Sequence, residues 1–205
     1  MSTYDPTTAL IVVDVQNDFA DPAGSLSVAG GEDVVPFINA EIEAALAVGG
    51  HVFYTQDWHP PVTPHFKKDG GIWPVHCVAD TWGAELHPDL RVEGPLVRKG
   101  SNGEDGYSGF TMRDPETGET QPTELHDLLK AATVTRIVIA GLATDHCVLA
   151  TAIDARVRDY PTTVLAAGVR AVDLAEGDGE RAFAELRLAG VFVDERESGA
   201  DARHV

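Results

Sequence analysis

The sequence predicts an α/β fold: a single doubly wound domain in which helices cover both faces of a mainly parallel, six-stranded sheet, giving three α/β/α layers. Two observations lead to this fold class. Six short apolar runs are rich in Val and Ile and lack polar alternation, which is typical of strands buried on both faces of a parallel sheet. Helical patterns fill the gaps between the runs, and right-handed crossovers then place helices on both faces. We expect residues 1–205 to form one such domain.

The six predicted strands follow one another along the chain, and turn residues bound each of them. They cover residues 8–15, 51–56, 94–99, 136–141, 161–167 and 190–194. The first predicted helix covers 33–48, where apolar residues recur at helical spacing until Gly49 and Gly50 end the pattern. Further helices are predicted at 144–158 and 179–189.

A long irregular insertion, at about 57–93, separates the second and third predicted strands, and a second irregular stretch covers 100–120. Loops of this length inside a compact domain are usually functional or disordered. Aromatic residues, which are uncommon in disordered segments, recur through the insertion: Trp58, Phe66, Trp73 and Trp82. We therefore expect the insertion to be ordered and to form part of a site.

The composition excludes some classes of partner. The 205 residues include 15 Lys plus Arg against 33 Asp plus Glu, a formal net charge of -18 at pH 7. This acidity, with no basic arm, argues against nucleic acid and anionic membranes as partners. The sequence shows neither a signal-peptide pattern nor an apolar stretch approaching the roughly 20 residues of a membrane span, so we expect a cytoplasmic protein. The oligomeric state stays open, and a homo-oligomer is compatible with the sequence.

Chemically reactive side chains follow successive predicted strands. Asp14 ends the first strand, Asp57 follows the second, Lys99 ends the third, and Cys147 follows the fourth in the first turn of a helix. Ligands of open α/β sheets bind at this carboxyl edge. The helix N-terminus and a nearby Lys99 would favour the Cys147 thiolate, and Asp14 could accept the thiol proton. The spacing indicates a thiol nucleophile with a carboxylate base.

A second cluster lies in the insertion and has the composition of a metal site. It consists of one carboxylate and three imidazoles from a proline-rich loop: Asp57, His59, His65 and His76. Asp57 and His59 are two residues apart, so they point to the same side of an extended chain. Such a set suits one divalent transition metal, such as zinc, iron or manganese, with positions left for water or a ligand.

Each of these residues also has a purely structural interpretation. A lone cysteine in a helix is usually a small buried hydrophobe, and an aspartate at a strand end is often a turn former. His146 adjoins Cys147, but neighbouring helix residues point apart, so it is not an obvious base. Cys77 is expected to pack behind the histidine loop. The remaining histidines are interpreted as ordinary polar residues: His51, His87, His126 and His204.

Five motifs resemble the nicotinamidase branch of the isochorismatase-like cysteine hydrolases, in the order and spacing of that family. They are DVQNDF from Asp14, QDWHP with His65 following, WPVHC, RKGSNGEDGYSGF around Lys99, and GLATDHCV around Cys147. The resemblance covers nearly the whole chain. It implies the isochorismatase-like, Rossmann-like form of the doubly wound fold.

The resemblance also implies a role for individual residues. It implies a catalytic triad of Asp14, Lys99 and Cys147. It implies one divalent transition metal, with zinc ahead of iron and manganese, held by Asp57, His59, His65 and His76. The family's cis peptide would join Leu142 to Ala143, and the amides of Ala143 and Cys147 would form an oxyanion hole. Substrate-binding residues would be Phe19, Trp73 and Tyr107, with Leu142 and Ala143, around a flat aromatic ring.

The implied activity is hydrolysis of nicotinamide to nicotinate and ammonia through a thioester, within NAD salvage, with pyrazinamide as a further substrate. One alternative is a hydrolase of the same family that acts on another small amide or a ureido compound. The metal set favours the ring amide, because a metal has no evident task for a substrate without a ring nitrogen. A metal-binding or partner-binding module without catalysis is a second alternative. The runs 103–106 and 112–122 depart from the family pattern and receive no role.

Overall fold

Residues 3–196, the part of the chain that the computed structural model describes, form eight strands and five α-helices. The strands are β1 (Thr8–Val13), β2 (His51–Asp57), β3 (Leu96–Lys99), β4 (Thr111–Arg113), β5 (Thr120–Pro122), β6 (Arg136–Leu142), β7 (Thr162–Arg170) and β8 (Phe192–Asp194). The helices are α1 (Asn17–Ala20), α2 (Val34–Ala47), α3 (Leu125–Ala131), α4 (Leu149–Val157) and α5 (Asp178–Leu188). No helix within residues 3–196 is both long and apolar enough to cross a membrane. His204 lies outside the described residues.

Six of the strands form one parallel sheet in the order β3-β2-β1-β6-β7-β8. Each corresponds to one predicted strand, so the predicted fold class is confirmed. The strand order reverses between β1 and β6, which pair from Thr8 with Arg136 to Val13 with Gly141. The carboxyl ends of these two strands therefore border the crevice where open α/β sheets bind their ligands.

Alternate residues of β1 face two different hydrophobic cores. Leu10 and Val12 belong to the core that α2 covers. Ile11 and Val13 belong to the core beneath α3, α4 and α5. Side chains of a strand alternate between the two faces of a sheet, so a central strand that is apolar at every position needs helices on both sides. This produces the predicted three-layer arrangement.

The structure differs from the predicted elements at three places. β1 ends at Val13 because Asp14 has a positive φ of 47° and leaves the strand. The predicted helix at 144–158 consists of a π-helical turn, Thr144–Val148, followed by α4. The sequence does not predict α1, α3 or the β4–β5 hairpin. These elements are short, and the exposed β5 carries no apolar pattern.

The insertion after β2 is ordered, as expected, although it contains no long helix or strand. Two 3-10 turns, Lys67–Asp69 and Trp82–Ala84, are its regular elements. Its order comes from buried side chains instead, among them Phe66, Trp73 and Cys77. The amide of Cys77 donates a 2.7 Å hydrogen bond to the Asp18 carboxylate. Cys77 therefore packs in the core behind the histidine loop.

Candidate active site and metal centre

A thiol, an ammonium and two carboxylates meet at the carboxyl ends of β1, β2, β3 and β6. Lys99 Nζ lies 2.8 Å from Asp14 Oδ2 and 3.6 Å from Cys147 Sγ. It also lies 2.5 Å from Asp57 Oδ1. Carboxylate oxygens of Asp14 and Asp57 and the sulfur of Cys147 are all within 4.8 Å of one another. All four side chains are buried, so the structure brings the predicted triad together and adds Asp57 to it.

The buried ammonium of Lys99 depends on its two carboxylates. Burial alone lowers the pKa of Lys99, but Asp14 and Asp57 outweigh it and hold this pKa well above its ordinary value. Lys99 acts on Asp57 in return. Burial raises the pKa of Asp57, yet Lys99 and the neighbouring histidines hold it well below the usual carboxyl range. Lys99 is therefore a cation and Asp57 an anion at neutral pH.

Asp14 has a different protonation behaviour from Asp57. Burial raises the pKa of Asp14 above its ordinary value, and Lys99 offsets this only in part. The Thr55 hydroxyl donates a 2.6 Å hydrogen bond to Asp14 Oδ1, which favours the ionised carboxylate. A carboxylate with a raised pKa accepts a proton more readily than an exposed aspartate does. This property suits a general base.

The enclosed site favours the thiol form of Cys147, although the helix N-terminus and Lys99 favour the thiolate. Burial raises the pKa of Cys147 well above its ordinary value, and Asp14 and Asp57 raise it further against the opposing effect of Lys99. The helix terminus and the ammonium do not prevail, because the side chain is enclosed and two carboxylates face it. The thiol therefore needs a base, and the Asp14 carboxylate lies within 4.8 Å of it.

The segment that carries Cys147 is a π-helical turn, Thr144–Val148, between β6 and α4. The peptide bond between Leu142 and Ala143 is cis, as the resemblance predicts. The carbonyl of Ala143 accepts a 3.1 Å hydrogen bond from the amide of His146, inside the turn. The turn places Ala143 and Cys147 on the wall of the same cavity.

Three buried histidines form a second cluster next to the thiol. His59, His65 and His76 each present a ring nitrogen, and these nitrogens are within 4.8 Å of one another. Asp57 Oδ2 lies 3.8 Å from His59 Nε2. The structure thus brings together the four residues that the sequence predicts as metal ligands. Asp57 belongs to both clusters, with one oxygen toward Lys99 and the other toward His59.

Each of the three rings has at least one nitrogen atom that is free for a metal. Nδ1 of His65 lies 2.8 Å from the Asp105 carboxylate, and Nδ1 of His76 lies 2.7 Å from the Pro74 carbonyl. Because these oxygens only accept hydrogen bonds, each Nδ1 carries the proton and each Nε2 is free. Both ring nitrogens of His59 are buried and have no hydrogen-bond partner among residues 3–196. Burial lowers the pKa of His76 to about 4, which keeps it in the neutral form that binds metals.

One cavity, of about 380 Å³ counted to its open mouth, is shared by the two clusters. Cys147 lines it together with Asp57, His65 and His76. Aromatic side chains complete the wall: Phe19, Trp73, Tyr107 and His146. The indole nitrogen of Trp73 donates a 2.9 Å hydrogen bond to the Tyr107 hydroxyl. The cavity has the apolar, aromatic walls and the few polar groups that suit a molecule with one ring.

Leu142 is the predicted substrate-binding residue that the structure places elsewhere. Its side chain is fully buried in the core on the α2 face of the sheet and does not line the cavity. Ala143, the next residue, does line it. Leu142 is the last residue of β6, and its side chain contributes to packing. The other predicted wall residues line the cavity: Phe19, Trp73 and Tyr107.

The sequence reasoning misses three contacts at the site. α-Helical spacing predicts that His146 points away from Cys147, but the ring of His146 lies 4.9 Å from that of Trp73 and lines the same cavity. That spacing does not hold here because the segment is a π-helical turn. The second missed contact is the hydrogen bond from Thr55 to Asp14. Thr55 lies two residues before Asp57 on β2, and residues two apart in a strand point to the same face, so this spacing could have identified it. Asp105, from the acidic run that receives no role, contacts His65.

A family comparison agrees with this fold and thiol site. Residues 8–197 match the isochorismatase domain family. The chain therefore belongs to the isochorismatase family.

Particular relatives narrow the class further. The nicotinamidase/pyrazinamidase of Mycobacterium tuberculosis is 38% identical over 193 residues, which cover 89% of this chain and 96% of the relative. The pyrazinamidase of Pyrococcus horikoshii, solved in complex with zinc, is 35% identical with a TM-score of 0.82, over 93% of this chain and 100% of that one. The PnC1 protein of L. infantum, solved in complex with nicotinate, is 36% identical with a TM-score of 0.83, over 93% and 94%. The resemblance to the nicotinamidase branch is confirmed, and the chain is an amidohydrolase.

Proposed function

We propose that this protein is a metal-dependent cysteine amidohydrolase that converts nicotinamide to nicotinate and ammonia, as a step of NAD salvage. The observation that carries the proposal is the cavity that Cys147 shares with His65 and His76. A nucleophile and a metal-binding cluster that face one small space suit an amide on a ring that has its own donor nitrogen. The nicotinate complex of the L. infantum relative supports this substrate class. Pyrazinamide meets the same description and is proposed as a further substrate.

The residues of the second cluster fit a divalent transition metal: Asp57, His59, His65 and His76. Three imidazoles and one carboxylate suit zinc, iron or manganese, and the zinc complex of the Pyrococcus horikoshii pyrazinamidase favours zinc. The ring nitrogens of His59 support this fit, because buried polar atoms without a partner are costly. When bound, the metal would supply a Lewis-acidic position for the ring nitrogen, directly or through a water, and so turn the carboxamide toward Cys147.

Acylation starts with the transfer of the thiol proton from Cys147 to Asp14. The thiolate attacks the carboxamide carbon, and the amides of Ala143 and Cys147 are proposed as donors to the resulting oxyanion. Asp14 passes its proton to the amide nitrogen, so the carbon–nitrogen bond breaks and ammonia leaves. The nicotinoyl group remains on the sulfur of Cys147 as a thioester.

Deacylation uses the same groups, and Asp14 again acts first as base and then as acid. Water attacks the thioester carbon and gives a proton to Asp14, which passes it to the sulfur of Cys147 as the carbon–sulfur bond breaks. The nicotinic acid released ionises to nicotinate, and the ammonia released in acylation takes up the proton. Lys99 holds the Asp14 carboxylate in position through both steps. At 3.6 Å from the sulfur, its ammonium also stabilises the thiolate when that forms. Phe19, Trp73 and Tyr107 would hold the ring by stacking and edge contacts.

The experiment that tests the proposal compares nicotinamide with benzamide on the purified, zinc-loaded protein. Benzamide has the same carboxamide and ring size but lacks the ring nitrogen. We expect nicotinamide to give equal amounts of nicotinate and ammonia. The kcat/KM for benzamide should be at least about 100-fold below the kcat/KM for nicotinamide. The His59→Ala variant should lose bound zinc and most of this preference.

Other results would point to other members of the family. Equal turnover of both amides would contradict the role assigned to the metal. Hydrolysis of a ureido compound without any turnover of nicotinamide would support instead a hydrolase of another small amide or ureido substrate.

A further inference from the structure

We propose that Asp105 is a positioning residue of the metal site, which fixes the ring of His65 so that Nε2 faces the metal. This inference rests on the metal site proposed above. Asp105 is remote in sequence from His65. It belongs to the loop that follows β3, the strand that ends at Lys99. It makes a 2.8 Å hydrogen bond to His65 Nδ1. The contact gives the acidic run a task that its composition does not reveal.

The contact determines which nitrogen of His65 is available. A carboxylate can only accept a hydrogen bond, so Nδ1 of His65 must carry the proton. The other nitrogen, Nε2, is then the one with a free lone pair. A carboxylate that accepts a hydrogen bond from the ring nitrogen not bound to the metal also makes a histidine a stronger and better oriented ligand. Asp105 therefore selects the tautomer and the ring orientation together.

The β4–β5 hairpin holds Asp105 in place from the other side. The backbones of Asp105 and Arg113 exchange two hydrogen bonds, of 2.7 and 2.5 Å. Nη2 of Arg113 donates a 2.8 Å hydrogen bond to Asp105 Oδ2, and the amide of Gly106 donates one of 2.8 Å to Oδ1. The carboxylate is thus fixed before any metal binds. This assigns a supporting role to the hairpin, which lies outside the family motifs.

The other two histidines provide an internal comparison. His76 is held by the Pro74 carbonyl, a backbone group that no substitution of a side chain removes. The ring nitrogens of His59 have no hydrogen-bond partner within residues 3–196. Loss of the Asp105 carboxylate should therefore affect one histidine ligand of the site and leave the other two histidines unchanged.

The first test measures the zinc affinity of the full-length, zinc-loaded protein by competition with a chelator. Asp105→Ala should bind zinc about 10–100-fold more weakly than the wild type. Asp105→Asn should lose less, because its amide oxygen can still accept the hydrogen bond from Nδ1. The matched control is Glu104→Gln, which changes the neighbouring charge without any contact to a histidine and should bind zinc like the wild type. A zinc affinity of Asp105→Ala within about twofold of the wild type would overturn the proposal.

The second test observes the tautomer directly by ¹⁵N NMR of the histidine rings after zinc is removed. The His65 resonances, assigned with a His65→Gln variant, should show a proton on Nδ1 in the wild type and in Glu104→Gln. Asp105→Ala should shift the proton toward Nε2, whereas a residue that only stabilises the loop would leave the tautomer unchanged. If Asp105→Ala folds poorly, Arg113→Gln replaces it and should weaken zinc binding severalfold. Unchanged zinc binding and an unchanged tautomer in Arg113→Gln would contradict the support assigned to the hairpin.

The two proposals fail in distinguishable ways. A wild-type protein that binds zinc no better than His59→Ala contradicts the metal site itself, and Asp105 with it. A wild type that binds zinc tightly while Asp105→Ala does so equally contradicts only the role of Asp105.

Discussion

The ammonium of Lys99 lies 2.5 Å from Oδ1 of Asp57, so a member of the thiol cluster contacts a member of the histidine cluster directly. The second oxygen of Asp57, Oδ2, lies 3.8 Å from His59 Nε2. The opposite side of Lys99 contacts Asp14 at 2.8 Å. One buried positive charge therefore lies between two buried negative charges, and the two clusters form a single electrostatic unit.

Replacement of Lys99 by Met should destabilise the fold as well as reduce activity. The variant leaves Asp14 and Asp57 buried without a counter-charge, which costs about 3–5 kcal/mol. For a chain of this size the melting temperature should fall by about 6–20 °C. Thermal unfolding monitored by circular dichroism measures this effect, and the same preparation is assayed for amide hydrolysis.

The control for this prediction is Lys68→Met. Lys68 is exposed and pairs with Asp69 at the surface, where an ion pair contributes less than about 1 kcal/mol. If Lys99→Met melts within about 2 °C of Lys68→Met, the buried charge balance does not support the fold in the way described.

Replacement of Gly100 by Ala should damage the metal site selectively. A Cβ at this position would lie 2.6 Å from Cε1 and Nδ1 of His59, so the imidazole must move. Gly103→Ala is a matched control in the same loop, because Gly103 also has a positive φ but meets only Thr63, at 3.9 Å. Both variants should lose about 1–2 kcal/mol of stability from the left-handed backbone.

The two glycine variants should separate in metal content. Zinc affinity should fall at least about 10-fold in Gly100→Ala and stay near the wild-type value in Gly103→Ala. Equal zinc affinities measured by chelator competition would show that the close approach of the loop to His59 has no bearing on metal binding.

The pH dependence of kcat/KM should report on Asp14. As the base, Asp14 must be ionised, so activity is lost as the pH falls through its pKa. Burial raises this pKa, and the acid limb should therefore lie above the ordinary carboxyl pKa of about 3.9. Thr55→Val removes a hydrogen bond that favours the ionised form, so the acid limb should move to higher pH by about one unit.

The control for the pH profile is Thr162→Val. Thr162 is a buried threonine whose hydroxyl bonds to the Tyr160 carbonyl, remote from the site, and its substitution should leave the limb in place. An acid limb that stays fixed or moves to lower pH in Thr55→Val would argue against Asp14 as the group that titrates.

The sequence predicts the parts of this protein that rest on strong local patterns. All six strands of the sheet are identified, because strands buried on both faces are apolar at nearly every position. Residues at the strand ends are identified for the same reason, since the carboxyl ends of parallel strands meet at one edge. The approach of Asp14, Lys99 and Cys147 follows from this rule without any knowledge of loop structure.

The parts that the sequence does not predict depend on contacts between remote loops. Asp105 and His65 are 40 residues apart and meet only because two irregular segments pack together. The raised pKa of Cys147 depends on how completely the fold encloses its side chain, which no motif records. Leu142 is assigned to the cavity because a family pattern gives its position but not the face to which its side chain points.

The measurement that tests the central claim most directly is ammonia release from nicotinamide by four preparations: wild type and Cys147→Ala, each stripped of metal and each resupplied with zinc. The buried Cys77→Ala variant serves as the matched thiol control. We predict turnover only in the zinc-supplied wild type and in zinc-supplied Cys77→Ala. The turnover rate of Cys147→Ala should be lower by at least about 10⁴-fold, although this variant should still bind zinc and nicotinamide. Turnover by Cys147→Ala, or equal turnover by the stripped and resupplied wild type, would contradict a metal-dependent cysteine amidohydrolase.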